Sequence, residues 1–191
     1  MHFMRTLLLL LIASFGFITD SFADDFWTAK ASYGSFGRHR AVAVGIGTKA
    51  YAGMGHTNGD GSDEWYSEWW EFDPATNSWA QKADYIGNNG NGDQDLTAIG
   101  IDGIGYVGLG QFGNANHYKY EPATNTWTQI ADAPSGSFSN TDPFVINGKG
   151  YYPDQFNDTL YRFDPVADTW TTIGIMPAAV GHRDGTFVIG S

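Results

Sequence analysis

Apolar and polar positions alternate in short runs along most of the chain. No stretch beyond residue 23 holds a helical period, so the pattern predicts strands of four to seven residues. Three of these runs are equivalent: Ala41 to Ile46, Leu96 to Ile101 and Pro143 to Ile146. Each is followed by a turn signal, Gly47-Thr48, Asp102-Gly103 or Asn147-Gly148. Asp-Gly and Asn-Gly suit the positive φ of tight hairpins, which predicts a second strand centred on Tyr51, Tyr106 and Tyr151.

The same phrase then recurs three times. It reads Phe72-Asp73-Pro74-Ala75-Thr76-Asn77-Ser78-Trp79, Tyr120-Glu121-Pro122-Ala123-Thr124-Asn125-Thr126-Trp127 and Phe163-Asp164-Pro165-Val166-Ala167-Asp168-Thr169-Trp170. The tryptophans are 48 and 43 residues apart, a spacing that marks a repeat architecture. A third strand ends at the aromatic-acid pair, and a fourth carries the Trp. Between them Pro presets φ, and Asn or Asp suits the turn exit. Each Trp is expected to be buried between neighbouring sheets.

A four-stranded meander at this period resembles a Kelch β-propeller blade. The resemblance covers residues 26 to 191. The family's diglycine at the end of strand two is loosened to Gly53-Met54-Gly55 and Gly108-Leu109-Gly110, and replaced by Pro153-Asp154 in the third unit. The wording of the phrase is similar to that of secreted bacterial Kelch proteins, whose repeats are like those of the galactose-oxidase central domain. The expected fold class is therefore all-β: a partial Kelch-type β-propeller, with three full four-stranded blades and orphan strands at both ends. The blades fall at about 40–82, 95–130 and 141–173, and the orphan strands at about 26–31 and 185–191.

The ends enter as expectations. Phe26 to Ala31 matches Ser78 to Ala83, a fourth strand without its first three; Phe187-Val188-Ile189 matches Phe144-Val145-Ile146. Propellers have 4 to 8 blades, so the expected content is about half of one. The preferred expectation is a piece of a longer gene product. The alternative is an open arc closed by self-association through its unclosed edges. Arg5, the apolar run Leu7 to Ile18 and Ser21-Phe22-Ala23 predict a signal peptide over 1–23. The run is too short to span a bilayer, so no membrane span is expected after cleavage. The protein is then secreted, periplasmic or on the cell surface.

Composition narrows the chemistry. The net charge is −11, which argues against nucleic acid. The absence of cysteine leaves packing alone to hold the fold, and excludes cysteine-type zinc sites. It also excludes the copper radical oxidases among secreted Kelch families, whose chemistry uses a cysteine-tyrosine cross-link. No cofactor is expected. Two acidic Gly/Asn-rich loops, Asn58 to Glu64 and Asn89 to Asp95, leave calcium open beside the reading as solvated turns.

In a meander the loops after strands two and four share one face. These loops are long and divergent here, so function is sought there. His39-Arg40 and His182-Arg183 occupy equivalent places before first strands, and Asp95 stands where Arg40 does in the second blade. An arginine fork there suits a carboxylate or sugar acid. The competing reading is a structural Arg–Asp pair between blades. The histidines His39, His56, His117 and His182 show no local metal spacing. Trp65, Tyr66, Trp69 and Trp70 read as core, with one or two left to stack on a sugar.

Two functions follow. The first is a secreted Kelch-repeat scaffold that binds a protein or glycan. The alternative is a sugar-active enzyme of the sialic-acid mutarotase type, with His39, Arg40, Asp95, His182 and Arg183 at the channel mouth. No Ser-His-Asp set, phosphate loop or carboxylate pair has the spacing for other chemistry.

Overall fold

The three inner hairpins close as their turn residues require. Asp102 and Gly103 take φ of 49° and 80°, Asn147 and Gly148 take 50° and 68°, and at the first turn Gly47 takes 61°. In the computed structural model, which describes residues 27–58, 63–112, 115–136, 138 and 141–177, these hairpins begin three four-stranded sheets. The strands of the first region are β1 (Val42–Ile46), β2 (Lys49–Gly53), β3 (His56–Asn58), β4 (Asp63–Trp65), β5 (Trp69–Asp73) and β6 (Ser78–Gln81). The second holds β7 (Thr97–Ile101), β8 (Ile104–Gly108), β9 (His117–Glu121) and β10 (Thr126–Ile130). The third holds β11 (Phe144–Ile146), β12 (Lys149–Pro153), β13 (Thr159–Asp164) and β14 (Thr169–Ile175).

The sheets run β1-β2-β5-β6, β7-β8-β9-β10 and β11-β12-β13-β14, all antiparallel. Strand β1 lies beside β7, and β7 beside β11, so first strands sit innermost and fourth strands outermost. The chain is an all-β, partial β-propeller.

Burial follows the pleat. Alternate residues of β7 and β13 are buried. The apolar faces meet between blades rather than within them. One core joins Tyr51, Met54 and Trp69 of the first blade to Val107, Tyr120 and Trp127 of the second. The next joins Ile99, Tyr106 and Leu109 to Tyr152, Tyr161 and Phe163 of the third.

The recurring phrase locks each blade to the segment that precedes it, which for the second and third blades is the stretch just after β6 and β10. The indoles of Trp79, Trp127 and Trp170 donate through Nε1 to the carbonyls of Ala31, Ala83 and Ala131, at 3.0, 2.9 and 3.0 Å. The N–H groups of the same alanines donate to Oδ1 of Asn77, Asn125 and Asp168, at 3.0, 2.8 and 3.0 Å. Those three residues hold φ of 51–54°, which suits Asn and Asp better than residues with bulky side chains. Asp73 and Asp164 cap the same turn by accepting from the N–H groups of Ala75 and Val166.

Two expectations change. Among the signature tryptophans Trp127 is buried, but Trp79 and Trp170 are half-buried, although all three make the same indole bond. The fully buried tryptophan is Trp69, at the start of β5, where it meets Tyr51, Tyr120 and Trp127. The stretch from Gly55 to Glu68, read as a plain loop, carries the β3–β4 hairpin.

Residues 27–31 have no ladder partner among the described residues, yet Ala31 is clamped as Ala83 and Ala131 are. The signal segment and Phe187-Val188-Ile189 lie outside the described residues. In the third blade Asp154 takes the place of Met54 and Leu109. It is buried, and its carboxylate accepts from the N–H groups of Phe156 and Asn157 and from the Asn157 carboxamide. A short polar turn thus does there what an apolar plug does in the other blades.

Candidate functional site

The loops after second and fourth strands meet at one end of the first and second blades. The β3–β4 hairpin folds back over the start of β1. His39 and His56 form an isolated bridge, each N–H donating to the other's carbonyl at 3.0 Å, with ring centroids 3.8 Å apart. Two glycines permit this approach. A Cβ on Gly55 would lie 2.6 Å from the His39 carbonyl, and one on Gly92 would lie 2.6 Å from the Tyr66 nitrogen. The hairpin thereby rests on the loop that leads into the second blade, and Gly55 N–H donates to the Asp93 carbonyl.

Arg40 and Asp95 hold equivalent places before β1 and β7, with φ of 56° and 57°. The Asp95 N–H donates to the Arg40 carbonyl at 3.1 Å, and Arg40 Nη1 lies 3.2 Å from Asp95 Oδ2. The two side chains differ in exposure, 41% for Arg40 and 4% for Asp95. Arg40 Nη1 also reaches Gln111 Oε1 at 3.5 Å, an oxygen that accepts from the Gln94 carboxamide as well. The inter-blade pair is therefore formed, and it leaves one side of the guanidinium open. His182 and Arg183 lie outside the described residues.

Beside this cluster stands an aromatic pair. Trp65 and Phe112 are partly exposed and meet edge to face with centroids 5.4 Å apart. Trp65 also stacks on His56 at 6.2 Å. Of the four aromatics grouped in the sequence, Trp69 is core, Trp70 and Tyr66 are half-buried, and Trp65 faces outward.

Sequence reasoning passed over Arg38. Its side chain is 3% exposed, and Nη2 lies 2.7 Å from Glu68 Oε2. The same Nη2 donates to Ser35 Oγ, Nη1 to the Met54 carbonyl, and the guanidinium lies 4.0 Å from the centre of the Tyr66 ring. Burial alone would raise the Glu68 carboxyl. Hydrogen bonds from Ser35 and Arg38, and the Arg38 charge, outweigh it and hold that carboxyl below its ordinary value. The only sequence signal was that both residues sit in the divergent loops. A buried arginine held by four hydrogen bonds braces the hairpin and is not free for a ligand.

The second acidic loop turns inward. Asp93 is fully buried and accepts from the N–H groups of Gln94 and Phe112, so its oxygens organise the loop. Residues 59–62 of the first acidic loop lie outside the described residues. Among the described residues no three His, Asp or Glu side chains gather as metal ligands do, and no helix is long and apolar enough to cross a membrane.

No protein-family model matches the sequence, nor does any curated protein. Solved structures do match the fold. One, described as the structure of YjhT, aligns with a TM-score of 0.58 at 21% identity, over 73% of this chain and 52% of that one. The chain thus spans about half the length of that structure. At this identity the likeness speaks for the propeller fold.

Proposed function

We propose that the chain belongs to a secreted Kelch-repeat propeller that acts as a binding scaffold, with its ligand face on the loops around Arg40. The observation that carries this reading is the open guanidinium of Arg40 beside the exposed Trp65–Phe112 pair. A fixed cation next to an aromatic surface suits a polar ligand with an acidic group, from a glycan or a protein. Asp95 and Gln111 hold the arginine in one orientation, which lowers the ordering cost on binding.

The second reading is an enzyme of the sialic-acid mutarotase type. Its support is the open side of Arg40 as a carboxylate anchor, with His39 and His56 in ring contact nearby as candidate proton carriers.

A glycan array that includes sialylated and uronic-acid glycans, run with the purified chain and its Arg40→Ala variant, tests the scaffold. Binding that falls at least ten-fold in the variant supports it. Binding that ignores both Arg40→Ala and Trp65→Ala removes it. Accelerated anomer exchange of N-acetylneuraminic acid, followed by NMR and lost in Arg40→Ala, would replace the scaffold by the enzyme.

A further inference from the structure

A second recess opens on the same loop face, further from the axis than Arg40. It lies at the rim of the second blade, between the loop after β6 and the outer strands β9 and β10, and has a volume of about 340 Å³. Small-molecule sites run from about 300 to 1,000 Å³, so it has room for a compact ligand. Carboxamides dominate its lining: Asn88 and Asn89 from the loop, Asn116 before β9, and Gln129 on β10. Ile86 and Phe112 complete its edge, with little of their apolar surface facing it. Among the described residues no charged side chain lines it.

The local backbone presents these amides. Asn88 and Asn89 both adopt the left-handed conformation, with φ of 49° and 55°. Asn88 Nδ2 donates to the Gly92 carbonyl at 2.7 Å, and Gln129 Nε2 donates to Asp132 at 3.1 Å. Those bonds orient the two side chains and leave their oxygens as acceptors. The Asn89 carboxamide makes no hydrogen bond among the described residues.

From this we infer that the recess binds a neutral carbohydrate, a site that rests on the loop face being the ligand face. Each sugar hydroxyl both donates and accepts, and a carboxamide offers one group of each kind. An acidic ligand is disfavoured, because the chain carries a net charge of −11 and no cation among the described residues faces the recess. The site is distinct in chemistry from the cationic mouth at Arg40.

The test titrates the purified chain with chitotriose, cellotriose and maltotriose by isothermal calorimetry. Two variants report on the recess: Asn89→Gly, which removes the carboxamide but keeps the positive φ without strain, and Gln129→Ala, at an exposed strand position. Arg40→Ala reports on the mouth. The inference expects at least one trisaccharide to bind, the double variant Asn89→Gly/Gln129→Ala to weaken it at least ten-fold, and Arg40→Ala to change it less than two-fold. It is overturned if none of the three binds, or if the double variant binds as well as the parent. Acidic glycans that still bind through Arg40 in that case leave the loop-face reading standing. Loss of every ligand removes both.

Discussion

The Nε1–H of Trp127 donates to the carbonyl of Ala83 at 2.9 Å, across the boundary between the first and second blades. The equivalent bonds from Trp79 and Trp170 make this the repeating joint of the fold. The phrase that recurs in the sequence is thus a connector between blades as much as a turn within one.

Trp127→Phe keeps most of the buried ring but removes the donor. It is expected to cost about 1–2 kcal/mol, whereas Trp127→Ala should cost about 3–5 kcal/mol. Urea unfolding followed by circular dichroism separates the two. A Trp127→Phe variant as stable as the parent would mean that the hydrogen bond contributes nothing.

Asn125 accepts from the Ala83 N–H at 2.8 Å and from the Tyr120 hydroxyl at 2.9 Å, at φ of 54°. Asn125→Ala loses both bonds and strains the backbone, for about 3 kcal/mol. Asn125→Gly loses the bonds but suits the backbone, for about 2 kcal/mol. The expected order of urea midpoints is parent, Gly, Ala.

Glu68→Gln leaves the Arg38 guanidinium buried without its counter-charge. Breaking such a pair costs about 3–5 kcal/mol when both partners are buried. Glu68 is partly exposed, at 29%, so about 2 kcal/mol is expected. Thermal melts of Glu68→Gln, Arg38→Met and the double variant measure the coupling. A double variant less destabilised than the two single losses summed is the predicted result.

His117 is wholly buried among Tyr106, Tyr152, Phe163 and Trp170, and burial lowers its pKa from 6.5 to about 3. Below pH 6.5 the unfolded chain takes up a proton that the folded chain refuses. Stability is therefore lost as pH falls from about 6.5 toward about 3, by up to about 4–5 kcal/mol from this group. His117→Gln cannot titrate. Its urea midpoint should fall less steeply over that window than the parent's, and parallel slopes would refute the assignment.

Much of the fold was legible because its determinants are local. Asp102-Gly103 and Asn147-Gly148 close hairpins through their own φ preferences. The Pro-x-x-Asn turn is likewise settled within eight residues. The period of the tryptophans carried the blade repeat, and the match of Phe26–Ala31 to Ser78–Ala83 aligned Ala31 with Ala83, which the indole bonds now hold alike. The pairing of Arg40 with Asp95 was one of two readings, since equivalent positions in adjacent blades must lie close at the axis.

The loops were another matter. That Arg38 would sink onto Glu68, that β3 and β4 would pair and bring His56 against His39, and that Asn89, Gln129 and Phe112 would line one recess follow from no period or motif. These contacts join residues far apart in the chain, and side-chain packing between loops decides them. The sequence by itself determined the strands, the turns and the blade repeat, because backbone preference and alternation act over a few residues. Only the tertiary structure decided which arginine is buried, which stays open and where polar groups converge, because desolvation and charge pairing depend on every neighbour at once.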